Sequence, residues 1–427
     1  MEKGRLRALL PIGVFLVSFL GMGIISGDFN HMPTVVGFLL ALMTAFFQNR
    51  SLNFDEKIKV ITKGVGDENI ITMCLIFLAA GGFSGAVKAA GGADSTVNFC
   101  LSILPSSVAV MGLMLIGCFI SLSMGTSMGT IAALAPIAVG ISEKTGFPMA
   151  LCIGAVVSGA MFGDNLSMIS DTTIAAVKTQ GCEMKDKFKA NFLIVLPAAA
   201  VSLLVFFLIT RQADYTIGAE LEYNLLQIVP YLVVLVGALI GFNVFLVLIS
   251  GTVLSLIVGV ATGTIEPLGI FQAVGEGVTG MYDITVISLL VACVVALMRE
   301  YGGISYILQF IRKRIRGQKG AQLGIAVLAL LVDMTTANNT VAIVIAGPIA
   351  KEIGHEYGIE PKRTASLLDI FASVGQGLLP YGAQLLLAAE ATKLAPLQIM
   401  PYLFYPWMMG VSALLFIVFG KNRRKTA

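Results

Sequence analysis

From Ser95 to Ser142 the chain carries no charged side chain, and it carries none from Ala190 to Thr210. Runs of this length have few ways to fold. A membrane span needs about 20 predominantly apolar residues, and inside lipid its backbone polar groups must be satisfied within the segment. Only 12% of the 427 residues are charged, against roughly 25% in a soluble protein. The chain is therefore read as an all-α polytopic protein of the lipid bilayer. The six cysteines (Cys74, Cys100, Cys118, Cys152, Cys182, Cys293) are scattered without a CxxC, and read as small buried side chains. No G-x-x-x-x-G-K-[ST] loop occurs, which disfavours ATP-driven pumping. Neither catalytic residues nor a cofactor are expected, and nothing points to nucleic acid.

The runs fall into two sets. Ala8–Ser26, Pro33–Gln48, Asn69–Val87, Phe147–Gly163 and Asn191–Thr210 are five spans of a first repeat, residues 8–210. Tyr223–Ile240, Phe242–Thr262, Ile284–Met298, Ser366–Leu379 and Pro396–Gly420 are five of a second, residues 223–420. Residues 211–222 form an external connector. Leu52–Gly66 and Glu266–Gly280 read as amphipathic helices on the membrane surface. Each half also holds a polar break, Ser123–Thr130 (Ser-Met-Gly-Thr-Ser-Met-Gly-Thr) and Asp333–Thr340 (Asp-Met-Thr-Thr-Ala-Asn-Asn-Thr). These are expected at the tips of re-entrant hairpins. The arm Ala321–Val332 looks too short to cross a core of ~30 Å. Letter by letter, Met124–Thr130 lies over Met334–Thr340. After a two-residue gap, Pro136 falls on Pro348, Gly146 on Gly358, Gly163 on Gly375 and Met168 on Pro380.

Charge sets the orientation. Counting a hairpin as no net crossing, five crossings per half invert the second copy. With both termini in the cytoplasm, segments 1–7, 49–68, 178–189, 299–320, 351–363 and 421–427 are internal. They hold all but four of the 28 Lys and Arg, the exceptions being Lys88, Lys144, Arg211 and Lys393. That bias is the one the positive-inside rule demands of a plasma-membrane protein. About ten transmembrane helices result. A homodimer is compatible with this plan.

The chemistry concentrates in Gly163–Thr173, Gly-Asp-Asn-Leu-Ser-Met-Ile-Ser-Asp-Thr-Thr. Ionisable groups at membrane depth are costly, about 2.5–3.5 kcal/mol for an Asp at a helix centre, so a compensating partner is expected. The plain alternative, a solvated loop between two helices, fits poorly with a stretch lacking Pro, Lys and Arg. Hydroxyl and carboxylate oxygens suit hard cations. The candidate ion or substrate ligands are Thr126, Ser127, Thr130, Asp164, Asn165, Ser167, Ser170, Asp171, Thr172, Asp333, Thr336, Asn338, Asn339 and Gln384. Asp164, Asn165 and Asp171 are expected to hold Na⁺, and the two aspartates to accept the proton. Asp333 also reads as a helix cap, Asp369 as a carboxylate facing water near Arg363, and Glu390 as interfacial.

Gly163–Thr173 resembles the hallmark of the NhaC-type sodium–proton antiporter family, within the ion-transporter superfamily, and the two-hairpin plan extends the likeness over nearly the whole chain. It departs at Met168, where the family commonly has Pro. The resemblance implies a scaffold, a mobile transport domain and elevator-like alternating access. A Na⁺/H⁺ antiporter is the expected function, with Na⁺ as the coupling ion. The alternative is a Na⁺- or H⁺-coupled carrier of an amino acid or carboxylate, because Asn338 and Asn339 can donate to such a solute as well as accept.

Overall fold

The computed structural model describes residues 4–26, 31–49, 51–103, 106–168, 170–211, 222–240 and 242–420. Most of the expected connector lies outside the described residues. The first half comprises α1 (Leu10–Ser26), α2 (Thr34–Gln48), α3 (Phe54–Val65), α4 (Glu68–Ala89), α5 (Gly92–Ile103), α6 (Ser106–Met124), α7 (Ser127–Thr145), α8 (Met149–Leu166), α9 (Asp171–Gln180) and α10 (Met184–Thr210). The second comprises α11 (Leu225–Ile240), α12 (Val244–Ala261), α13 (Ile270–Gly280), α14 (Tyr282–Glu300), α15 (Gly303–Arg312), α16 (Gly317–Thr336), α17 (Asn339–Glu356), α18 (Pro361–Leu378), α19 (Ala383–Thr392), α20 (Pro396–Ile399) and α21 (Phe404–Phe419).

Among the described residues seven helical stretches are long and apolar enough to cross a membrane, or eight with the bent Pro396–Phe419 pair. The shorter apolar helices α2, α11 and α12 complete ten passes. α16 also passes on length, but it turns back into α17. The Ala321–Val332 arm is thus corrected. The helix starts at Gly317 and runs to Thr336, about 30 Å at 1.5 Å per residue. Its shortness is no argument for re-entrance; a hairpin leaves the number of crossings per half odd at either depth.

The two halves are inverted repeats, and their packing exchanges partners: α3 lies on α14 and α13 on α4, while α7 meets α19 and α17 meets α9. The amphipathic α3 starts from a capping box, in which Asn53 Oδ1 accepts from Glu56 N–H at 2.9 Å and Glu56 Oε2 from Asn53 N–H at 2.8 Å. Left-handed residues end corresponding helices, Gly125 with Ala337, Gly146 with Gly358 and Gly181 with Lys393. All three pairs share the offset that relates Pro136 to Pro348. The two-residue gap inferred at the tip therefore does not exist. Thr126 corresponds to Asn338, and both cap their helices by accepting from the backbone three residues on. At the same offset Ser121 corresponds to Asp333, Ser127 to Asn339, Asp164 to Gln376, Ser170 to Gly382 and Thr172 to Gln384. The letter match misled because similar Met-Thr pairs occur two residues out of step, whereas the backbone turn sets the true register.

Candidate functional site

Both broken helices stop for the same local reason. Ser167 N–H closes on Gly163 O at 2.8 Å and Leu379 N–H on Gly375 O at 2.9 Å; both cap residues are extended, and at the second break Gly382 N–H then closes a turn on Leu379 O at 2.9 Å before α19 begins. The last carbonyls of α8 and α18 lack helical partners there. The hairpin tips pack against these ends.

At the first break Asp164 is buried and wrapped in donors. Its Oδ2 accepts from Ser127 Oγ at 2.7 Å and Ser127 N at 3.3 Å, and its Oδ1 from Ser170 Oγ at 2.6 Å. Ser170 and Thr172 hydroxyls lie 2.9 Å apart. Gln384 Nε2 donates to Ser127 Oγ at 3.0 Å, and Gln376 Nε2 to Gln384 Oε1 at 2.7 Å. One hydrogen-bonded chain thus joins the first tip to both breaks.

A second cluster, one residue along, is ionic. Lys187 from α10 pairs with Asp369 from α18, and both are completely buried. The ammonium also donates to Asn165 O at 2.9 Å and Thr173 Oγ1 at 2.7 Å, bridging the two sides of the α8–α9 break. Asn191 Nδ2 lies 3.1 Å from both Asn165 Oδ1 and Asp369 Oδ2, and Asn165 Nδ2 donates to Asp369 Oδ2 at 3.1 Å. Three protons on Lys187 meet three oxygens, which is what offsets the desolvation of a buried cation.

The structure therefore gathers Ser127, Asp164, Asn165, Ser170, Thr172 and Gln384, with Ser167 buried beside them. Asp171, in contrast, is exposed on the first turn of α9. Thr126 is engaged as a cap, and Thr130 Oγ1 turns back to Thr126 O at 2.9 Å. At the second tip Thr336 is tied to the carbonyls of Val332 and Asn338, and Asn338 accepts from Val341 N–H at 3.0 Å. Asn339 is buried with its Nδ2 unpartnered among the described residues. Asp333 is no cap. It lies inside α16, completely buried. Glu390 pairs with the exposed Lys393.

Lys187, Asn191, Asp369 and Gln376 were missed. Lys187 hid in a basic stretch assigned to a cytoplasmic loop, although it already belongs to α10. Asp369 did leave a signal, being the lone charge between Arg363 and Glu390. Its reading as a solvated carboxylate is overturned by the lysine across from it.

Two hairpin tips converging on two broken helices around buried polar side chains define a secondary transporter. The chain belongs to the Na⁺/H⁺ antiporter family, whose profile matches residues 6–208 and 216–421. It is 20% identical to the malate-2H⁺/Na⁺-lactate antiporter of Bacillus subtilis, over 98% of this chain and 96% of that one. It is 23% identical to the Na⁺/H⁺ antiporter NhaC of Bacillus subtilis, over 96% and 98%. The YdaH transporter of Alcanivorax borkumensis aligns over 97% of this chain and 99% of its own, at 14% identity and a TM-score of 0.45. The chain is thus a multi-pass secondary antiporter.

Proposed function

We propose that the chain exchanges Na⁺ for H⁺, with Asp164 as the carboxylate that meets Na⁺. The observation carrying this reading is the Ser127–Asp164–Ser170 clasp. A carboxylate ringed by hydroxyls is a hard-oxygen donor set. Each hydroxyl both donates and accepts, so it can turn its O–H away and present a lone pair to the ion. The clasp joins a hairpin tip to a helix break, so filling or emptying it bears on whether the tip stays closed. Alternating access follows if α6–α10 and α16–α21 move as one body past α1–α5 and α11–α15. This division is supported by the packing of α2 and α3 on α14, and of α12 and α13 on α4.

A second reading, exchange of a small carboxylate, draws on the unpartnered buried Asn339 Nδ2, a donor useless to a bare cation, and on the malate–lactate relative. One experiment separates the two. Proteoliposomes loaded with a pH dye and given an external Na⁺ pulse should turn alkaline inside without any organic solute. Silence until lactate, malate or an amino acid is supplied would transfer the assignment to the second reading.

The proposed orientation, termini inside, has its own test. Cys182 lies between α9 and α10; burial first, and then Asp186, hold its thiol above the usual range. In a protein lacking the other five cysteines, an impermeant maleimide applied at alkaline pH should label Cys182 from the cytoplasmic face. Labelling confined to the outer face would invert the topology.

A further inference from the structure

Asp333 is completely buried near the end of α16, and neither carboxyl oxygen has a hydrogen-bond partner among the described residues. Opposite it, α18 presents Gly375, where an added Cβ would lie 2.5 Å from Asp333 Oδ2. The first half makes the same close helix contact at Gly163, with the corresponding Ser121 in place of the aspartate. There a Cβ on Gly163 would lie 2.5 Å from Ser121 Cβ, and the serine hydroxyl is satisfied by Ala160 O at 2.6 Å. Among the described residues each half thus keeps one buried carboxyl without a cation, at non-equivalent places: Asp164 on the broken helix in the first, where the second has Gln376, and Asp333 on the hairpin arm in the second.

Charged neighbours do not rescue Asp333. Tyr381, after α18, is within electrostatic reach, and its hydroxyl is engaged with Met334 O at 2.6 Å. On α18, Asp369 is neutralised by Lys187, and Lys362 and Arg363 lie at the helix start. The nearest ionisable groups of α17 (Lys351, Glu352, His355, Glu356) occupy its end remote from the tip. Arg312 of α15 pairs with Glu352. The charges of α14 (Asp283, Arg299, Glu300) lie at its two ends, Lys319 starts α16, and α21 has none. A buried carboxyl with neither donor nor cation stands far more cheaply as the neutral acid than as the anion.

We propose that Asp333 is the proton-carrying group of the exchange, separate from the Na⁺ site at Asp164; this rests on the antiport reading above. The closed arrangement described here is then the proton-loaded form. When α16 and α17 lift from α18 and water reaches Asp333, its O–H bond breaks and the proton passes to water; the reverse reloads it. Na⁺ at Asp164 or H⁺ at Asp333 each offsets one of the two carboxylates, so one cation can replace the other.

Reconstituted Asp333→Asn, which mimics the neutral acid, should retain exchange of radiolabelled Na⁺ across the membrane. Its Na⁺-driven pH change should fall to that of protein-free liposomes. Asp333→Ser, the residue of the first half, should behave alike and covers a folding failure of the asparagine variant. A pH response kept in either variant overturns the proposal. So does loss of Na⁺ exchange in a variant that stays monodisperse, because Asp333 would then serve the sodium itself. Difference infrared spectra of the unmodified protein need no variant: Na⁺ should remove a carboxylic-acid C=O band, and its persistence also overturns the assignment. If instead the unmodified protein exchanges Na⁺ without moving protons at all, the antiport reading is what fails.

Discussion

Asp164→Asn should give a folded, inserted protein whose Na⁺ exchange and Na⁺-driven proton flux are both lost, with apparent Na⁺ affinity down by a hundredfold or more. The carboxylate accepts three hydrogen bonds from two serines, and hydrogen bonds to a charged group contribute about 1.5–3 kcal/mol each. The amide that replaces it keeps the shape but turns an NH₂ toward groups that are themselves donors. It also offers a cation no charge. The loss should fall on transport rather than on folding, because removing a buried charge removes its desolvation cost too. Asp171→Asn is the matched comparison. Asp171 sits seven residues further along the same motif, yet it is exposed on the first turn of α9. Its transport should stay within a few-fold of the unmodified protein. Equal losses in both variants would remove the clasp from its assigned role, as would normal Na⁺ affinity in Asp164→Asn.

Lys187→Met should destabilise the protein by about 3–5 kcal/mol, the usual cost of leaving one partner of a buried ion pair uncompensated. Asp369 would then be buried without a cation, and Asn165 O and Thr173 Oγ1 would lose a shared donor. The double change Lys187→Met with Asp369→Leu removes both charges and should recover most of the stability, read as thermal unfolding in detergent. It should not recover transport, because the lysine bridge from Asn165 O to Thr173 Oγ1 is gone and the Asp164–Ser170 hydrogen bond is left to span the α8–α9 break. A single Lys187→Met variant that melts like the unmodified protein would show that the pair does not hold the break. A double variant with full transport would show that the break needs no tie.

These two residues show how unlike the two polar centres are. Asp164 is held by neutral donors that can rotate, so its environment can be rebuilt around an ion. Asp369 is held by a lysine with all three protons committed, so its environment is fixed. The first suits a site that loads and unloads. The second suits a strut between α10, α18 and the helix break.

The membrane class, the two copies of five spans and the polar breaks were all legible in the chain itself. They depend on local composition: lipid excludes charge from long segments, and the backbone can be irregular there only where it is buried in protein or lines a cavity. Gly163–Thr173 was legible for the same reason, since polar side chains inside an apolar run need partners. The partners themselves were not. Whether Asp171 or Asp164 turns inward depends on which side of the α8–α9 break each residue occupies, and the break falls between them. Lys187 could not be told from its basic neighbours, because three residues decide whether a lysine ends a loop or enters a helix facing Asp369. The repeat register at the tip likewise came from the backbone: left-handed residues at Gly125 and Ala337 place Ser121 opposite Asp333, where matching letters had placed other residues. Composition determined where polar groups had to be buried; only the packing of one repeat against the other decided which of them are satisfied, and that both oxygens of Asp333 are left bare among the described residues.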